Sequence, residues 1–148
     1  MTFRHATAAD VLQIVEMATE FQHTSEYADH LRATPETLAE LIDRLLGSPD
    51  ATILLALEGD RAVGMLAIGL YTQPMSGERI GSEICWWVSP VWRGSRAALK
   101  LLRLGEAWAL DQGAVVFQMM APNLRVGDFY ARLGYLPIET HYQRRLVA

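Results

Sequence analysis

Three groups of residues are of a type and spacing that could do chemistry. Arg93, Gly94, Ser95 and Arg96 form a short basic turn that runs into Ala97, Ala98 and a segment of helical spacing. The first amides of a helix lack partners within it and lie at the positive end of its dipole, so such a turn attracts an anion. Gly94 lets the backbone approach that anion closely. A phosphate or pyrophosphate site is predicted. The turn is not a nucleotide-hydrolase loop, because no Gly-Lys-Ser/Thr follows, nor a dinucleotide fingerprint, because GxGxxG is absent. Upstream, Glu83 precedes Ile84, Cys85, Trp86 and Trp87. A carboxylate beside large aromatics acquires a raised pKa, which suits a base near neutral pH. A structural or edge carboxylate is the alternative. The third group, His23, Glu26, Asp29 and His30, has ligand-type side chains, but no regular helix fixes their geometry and no metal is expected.

Simple elements must position these groups. Residues 83–88 read as a buried strand, closed by Ser89-Pro90 because proline has no amide to give a ladder. Alternation places Glu83, Cys85 and Trp87 on one face and Ile84, Trp86 and Val88 on the other. From Ala97 a helix carries Ala98, Leu101, Leu102, Gly105, Trp108 and Ala109 on one face and stops at Gly113. Arg96, Lys100 and Arg103 recur along another face.

Earlier in the chain, residues 2–5 suit a strand, and Thr7 with Asp10 suits a helix start. The helix that follows ends near Phe21. Residues 22–33 are polar and aromatic without a period. Thr34-Pro35-Glu36 opens a second helix, closed at residues 47–50. Strands over 51–57 and 62–71 flank a hairpin turn at Gly59. Residues 72–79 form a loop. A strand over 114–120 should run parallel to 83–88, because a helix joins the two. A short helix over 126–133 and one or two strands over 135–146, broken by Pro137, complete the chain.

The stretch VSPVWRGSRAAL resembles the acetyl-coenzyme A loop of the GNAT N-acetyltransferases, Val-x-Pro-x-x-Arg-Gly-x-Gly-x-Gly/Ala. Val88, Pro90, Arg93, Gly94 and Ala98 match; Arg96 stands where a glycine is usual. Together with LLRLGEAWA, the segment looks like a phage and prophage subgroup. Pro122-Asn123 and the run Phe129-Tyr130-Ala131-Arg132-Leu133-Gly134-Tyr135 resemble the family's second motif. The resemblance implies a mixed α/β sheet of six to seven strands with about four helices. Its N-terminal half would be antiparallel, and a splayed parallel pair would hold the cofactor. It implies acetyl-CoA bound by Trp87, Val88, Arg93, Gly94, Ser95, Arg96, Ala97 and Ala98, with its pyrophosphate on the amides of 94–98, a backbone amide near Trp87 and Val88 polarising the carbonyl, and Asn123 and the helix of Phe129 and Tyr130 flanking the pantetheine arm. The acceptor would lie near Glu26, Tyr27 and His30. Tyr130 is either the acid that protonates the leaving thiolate or a ring packed on the cofactor. Glu83 would be the base, directly or through water. Arg96, Lys100 and Arg103 reach the outer phosphate or form a solvated helix face.

With 148 residues and 51% apolar content, the chain fits one folded domain, residues 1–148. Its net charge of −4 argues against a general nucleic-acid binder. The single cysteine, Cys85, excludes an internal disulfide and reads as a core residue. No apolar run is long enough to span a membrane, and no leader pattern is present, so a cytoplasmic protein is expected. The leading reading is an enzyme moving acetyl to a primary amine in a ternary complex, with a homodimer allowed. An inactive acyl-CoA-binding or interaction module of the same fold is the alternative.

Overall fold

The structure, a computed structural model, describes residues 1–25 and 31–147. Among these, strands β1 (Thr2–His5), β2 (Ala51–Glu58), β3 (Arg61–Thr72), β4 (Arg79–Val88) and β5 (Val116–Gln118) form one sheet in sequence order. β1 to β4 are successively antiparallel, and β4 and β5 are parallel. The helices are α1 (Val11–Thr24), α2 (Pro35–Leu46), α3 (Ala97–Asp111) and α4 (Leu124–Arg132).

Local chemistry sets the element ends. The Thr7 amide donates to Asp10 Oδ2 at 2.8 Å, and Arg4 grips both oxygens of Asp10. This fastens the end of β1 to the start of α1, and the Arg4 hydrogen bonds hold the Asp10 carboxyl well below the usual range. Thr34 caps α2 by accepting from the Thr37 amide at 3.2 Å, with Pro35 in the first turn. Gly59, at φ 59°, makes the β2–β3 hairpin turn.

The inner strands are apolar on both faces because helices cover both. Ile53, Leu55 and Met65 pack with Ile14 and Met17 of α1 and Ile42 of α2. Leu54, Leu66 and Ile68 pack on the other face with Leu101 of α3. Gly105 brings α3 close to that face: a Cβ there would lie 2.8 Å from side-chain atoms of both Leu66 and Ile68.

Four expectations are corrected. The sheet of the described residues has five strands, not six to seven. Residues 135–147 form neither helix nor strand. Pro137 cannot donate to a ladder, and Leu136, Ile138 and Tyr142 point into solvent. The expected strand over 114–120 forms only at Val116–Gln118, because beyond it the Met120 amide is taken by a side chain, Glu83. Fourth, β4 does not alternate regularly. Cys85 pairs with Ala67 and Glu83 with Ile68, so Ile84 is an unpaired extra residue. The bulge places Glu83 on the face of Trp86 and Val88, not with Cys85 and Trp87.

Candidate active site

β4 and β5 are paired only from Ile80–Val116 to Ser82–Gln118. β4 then runs on to Val88 still paired with β3 but with no strand on its other side, which leaves a wedge beside that edge of its second half. Glu83 stands where the strands part. The residue is 8% exposed, and its Oε2 accepts the Met120 amide at 3.0 Å across the wedge. Burial disfavours its charge and pushes its pKa up to about 7, against the smaller opposing pull of the Met120 hydrogen bond.

Tyr130 approaches the same backbone residue from α4. Its hydroxyl donates to the Met120 carbonyl at 3.3 Å, and it is 6% exposed. Trp86 stacks on its ring at 5.9 Å with 20° between planes, and Phe129 lies 6.2 Å from Trp86. Burial, the Glu83 charge and Tyr135 all raise the Tyr130 pKa, so the hydroxyl keeps its proton at neutral pH. Met120 thus brings together the two groups that the sequence proposed as base and acid.

A third group lines the wedge. The Ser89 amide donates to Val63 of β3 at 2.9 Å. Backbone groups alternate sides along a strand, so the Val88 amide faces away from β3 into the wedge. A backbone donor in such a place is of the kind that can meet a developing oxyanion.

The basic turn lies just past the end of β4. Pro90–Trp92 form a single helical turn, and Gly94 then takes φ 86°, with nothing within 4 Å of a Cβ built on it. Ser95 Oγ accepts the Ala97 amide at 3.2 Å. The helix's own ladder starts with Lys100 donating to the Arg96 carbonyl, so earlier amides precede it. Arg96 sits in the right-handed region, φ −72° and ψ −3°, a backbone conformation that does not require glycine. Arg93 turns back onto β4: Nε donates to the Val88 carbonyl at 3.0 Å, and its guanidinium carbon lies 4.2 Å over the Trp87 ring. Arg103 bonds Glu106 at 2.8 Å along its own helix.

The remaining candidates are more scattered. Asn123 caps α4, accepting the Val126 amide at 3.1 Å. Cys85 is partly buried, and burial with the Glu83 charge pushes its thiol up to about 12, which leaves it inert near neutral pH. Glu26, Tyr27 and His30, expected at the acceptor, and Asp29 of the ligand-type cluster lie outside the described residues. No metal-binding cluster exists among the described residues. No helix among them is long and apolar enough to cross a membrane. Sequence reasoning missed Glu20, which accepts the Trp87 indole N–H at 3.2 Å. It also missed Trp86 as the ring stacked on Tyr130.

Residues 12–135 match the model of the acetyltransferase (GNAT) family. The chain belongs to the acetyltransferase (GNAT) family. No curated protein sequence matches it. Among solved structures, this GNAT chain is similar to the aminoglycoside 6'-N-acetyltransferase AAC(6')-IG from Acinetobacter haemolyticus. The identity is 20%, the TM-score 0.78, and the coverage 99% of this chain and 100% of that one. It is also similar to AAC(6')-Iy, solved with a bisubstrate analogue containing coenzyme A, at 12% identity and TM-score 0.82, covering 99% and 98%. A transcriptional regulator from Bacillus halodurans matches at 18% identity and TM-score 0.82, covering 98% and 99%. At these identities the likeness concerns the fold. The family uses acetyl-CoA, and the GNAT wedge here suits it: an open glycine cradle and helix-start amides lie just beyond an unpaired strand edge.

Proposed function

We propose that this protein is an N-acetyltransferase that moves the acetyl group of acetyl-CoA to a primary amine by direct attack in a ternary complex. The observation that carries the reading is the convergence of Glu83 and Tyr130 on Met120, at the point where β4 and β5 separate. Acetyl-CoA supplies an activated thioester carbonyl. Of the turn's amides, those of Ser95 and Ala97 are taken by Trp92 and Ser95 Oγ, and those of Gly94, Arg96 and Ala98 hold its pyrophosphate, with Lys100 and Arg96 on the same helix start. Asn123, Phe129 and Trp87 border the pantetheine arm.

Three residues then divide the work. Glu83 takes a proton from the amine, directly or through water, and its pKa near 7 lets it do so close to neutrality. The Val88 amide donates to the carbonyl oxygen as charge builds on it. Tyr130 gives its hydroxyl proton to the departing thiolate as the carbon–sulfur bond breaks and the carbon–nitrogen bond forms. The proton taken by Glu83 returns to solvent, and Tyr130 is reprotonated from it.

The test is acetyl-CoA-dependent thiol release over a panel of amines. Polyamine aminoglycosides belong in the panel because two structural neighbours are named for them. The reading predicts release with at least one amine and mass addition of one acetyl group to that amine. Coenzyme binding with no turnover on any amine would contradict it and favour a binding module.

A further inference from the structure

The Trp87 indole is held from several sides by residues far apart in the chain. Its Nε1–H donates to Glu20 Oε2 at 3.2 Å. Phe21 meets its ring edge-on, with centroids 6.3 Å apart at 70°. The Arg93 guanidinium lies over the ring, and the same side chain is fastened to the Val88 carbonyl. Trp87 itself is 7% exposed. Glu20 and Phe21 belong to the C-terminal part of α1, whereas Arg93 abuts Gly94, the left-handed pivot of the basic turn.

Each contact constrains the next. A buried indole N–H needs an acceptor, and Glu20 supplies a charged one, which fixes the rotation of the ring. The ring so fixed presents its face to a cation above it. The cation is Arg93, and the backbone runs directly from it into Gly94, the pivot of the turn.

We infer that Glu20 is a positioning residue for coenzyme A: through the Trp87 ring it fixes Arg93 and the turn after β4, so coenzyme binding and order at the end of α1 depend on each other. The inference rests on the proposed coenzyme site. Linkage requires the dependence to run both ways: whatever steadies the turn steadies α1, and the reverse.

The experiment combines calorimetric titration with coenzyme A and amide hydrogen exchange across α1, on wild type, Glu20→Ala, Glu20→Gln and Trp87→Phe. Coenzyme A should slow exchange in the last turns of α1 in the wild type. Glu20→Ala should weaken binding about tenfold and abolish that slowing. Trp87→Phe keeps a ring but loses the N–H, and should behave like Glu20→Ala. Glu20→Gln still offers an oxygen acceptor and should recover most of both effects, which loss of general stability would not allow. Wild-type affinity in Glu20→Ala, failure of Gln to rescue, or unchanged α1 exchange on binding would each overturn the inference. A folded wild type that binds no coenzyme A would instead bring down the proposed function on which it rests.

Discussion

Glu83 is poised because water cannot reach it well, and this gives it two measurable signatures. Its pKa is raised from 4.5 to about 7 by burial. Turnover should therefore climb with pH through about 7, as the base loses its proton, and level off above. Glu83→Gln should remove that limb and lower turnover by roughly 10²-fold or more, with little change in coenzyme affinity. Equal activity at every pH would sink the assignment. The same shift has a stability consequence. Between pH 4.5 and 7 the folded state holds a proton that the unfolded state has released, so stability falls as pH rises through that window. Relative to wild type, Glu83→Gln should melt higher at pH 8 than at pH 5. Tyr130→Phe leaves the ring stack on Trp86 and deletes the hydroxyl. Turnover should drop at least about tenfold at unchanged coenzyme affinity, which steady-state kinetics beside calorimetry would show. Unchanged turnover would restrict Tyr130 to packing. The types of these residues were legible in the sequence, but their setting was not. Strict alternation misplaced Glu83, because the extra residue Ile84 leaves no mark in a run of apolar side chains. Glu20 was invisible because its partner lies 67 residues away and no local period links the two.

Among the elements, glycines show where close approach matters. Gly105→Ala would gain helix propensity of about 1 kcal/mol. Its new methyl, however, would lie 2.8 Å from Leu66 and Ile68 on the sheet. Overpacking costs of about 1–3 kcal/mol should win, and the melting temperature should fall. Gly94→Ala meets no such atoms, so its cost is the left-handed backbone alone, about 1–2 kcal/mol. If the turn relaxes instead of bearing that strain, coenzyme binding weakens while the fold persists; calorimetry and thermal melting separate the two. Element types and starts were readable because caps, hairpin glycine and apolar periods are local signals. Thr34-Pro35, Gly59 and the α3 stripe all fell where the pattern put them. The extent of β5 was not readable, because Glu83 replaces its backbone partner at Met120. The last strands were misread because the apolar residues after Gly134 have the composition of a strand but no covering layer.

At the scale of the whole molecule, the proposed function rests on one break in an otherwise continuous sheet. Two helical layers cover the inner strands on both faces, and β5 leaves β4 after three paired residues. The break exposes a strand edge, places the first turn of α3 beyond it, and draws α4 across so that Tyr130 meets Glu83 at Met120. The most direct test is calorimetric titration of acetyl-CoA into the wild type and an Arg93→Ala, Arg96→Ala double variant. Micromolar binding by the wild type, weakened in the variant while both remain folded, is the predicted result. A folded wild type that takes up no acetyl-CoA would contradict the account.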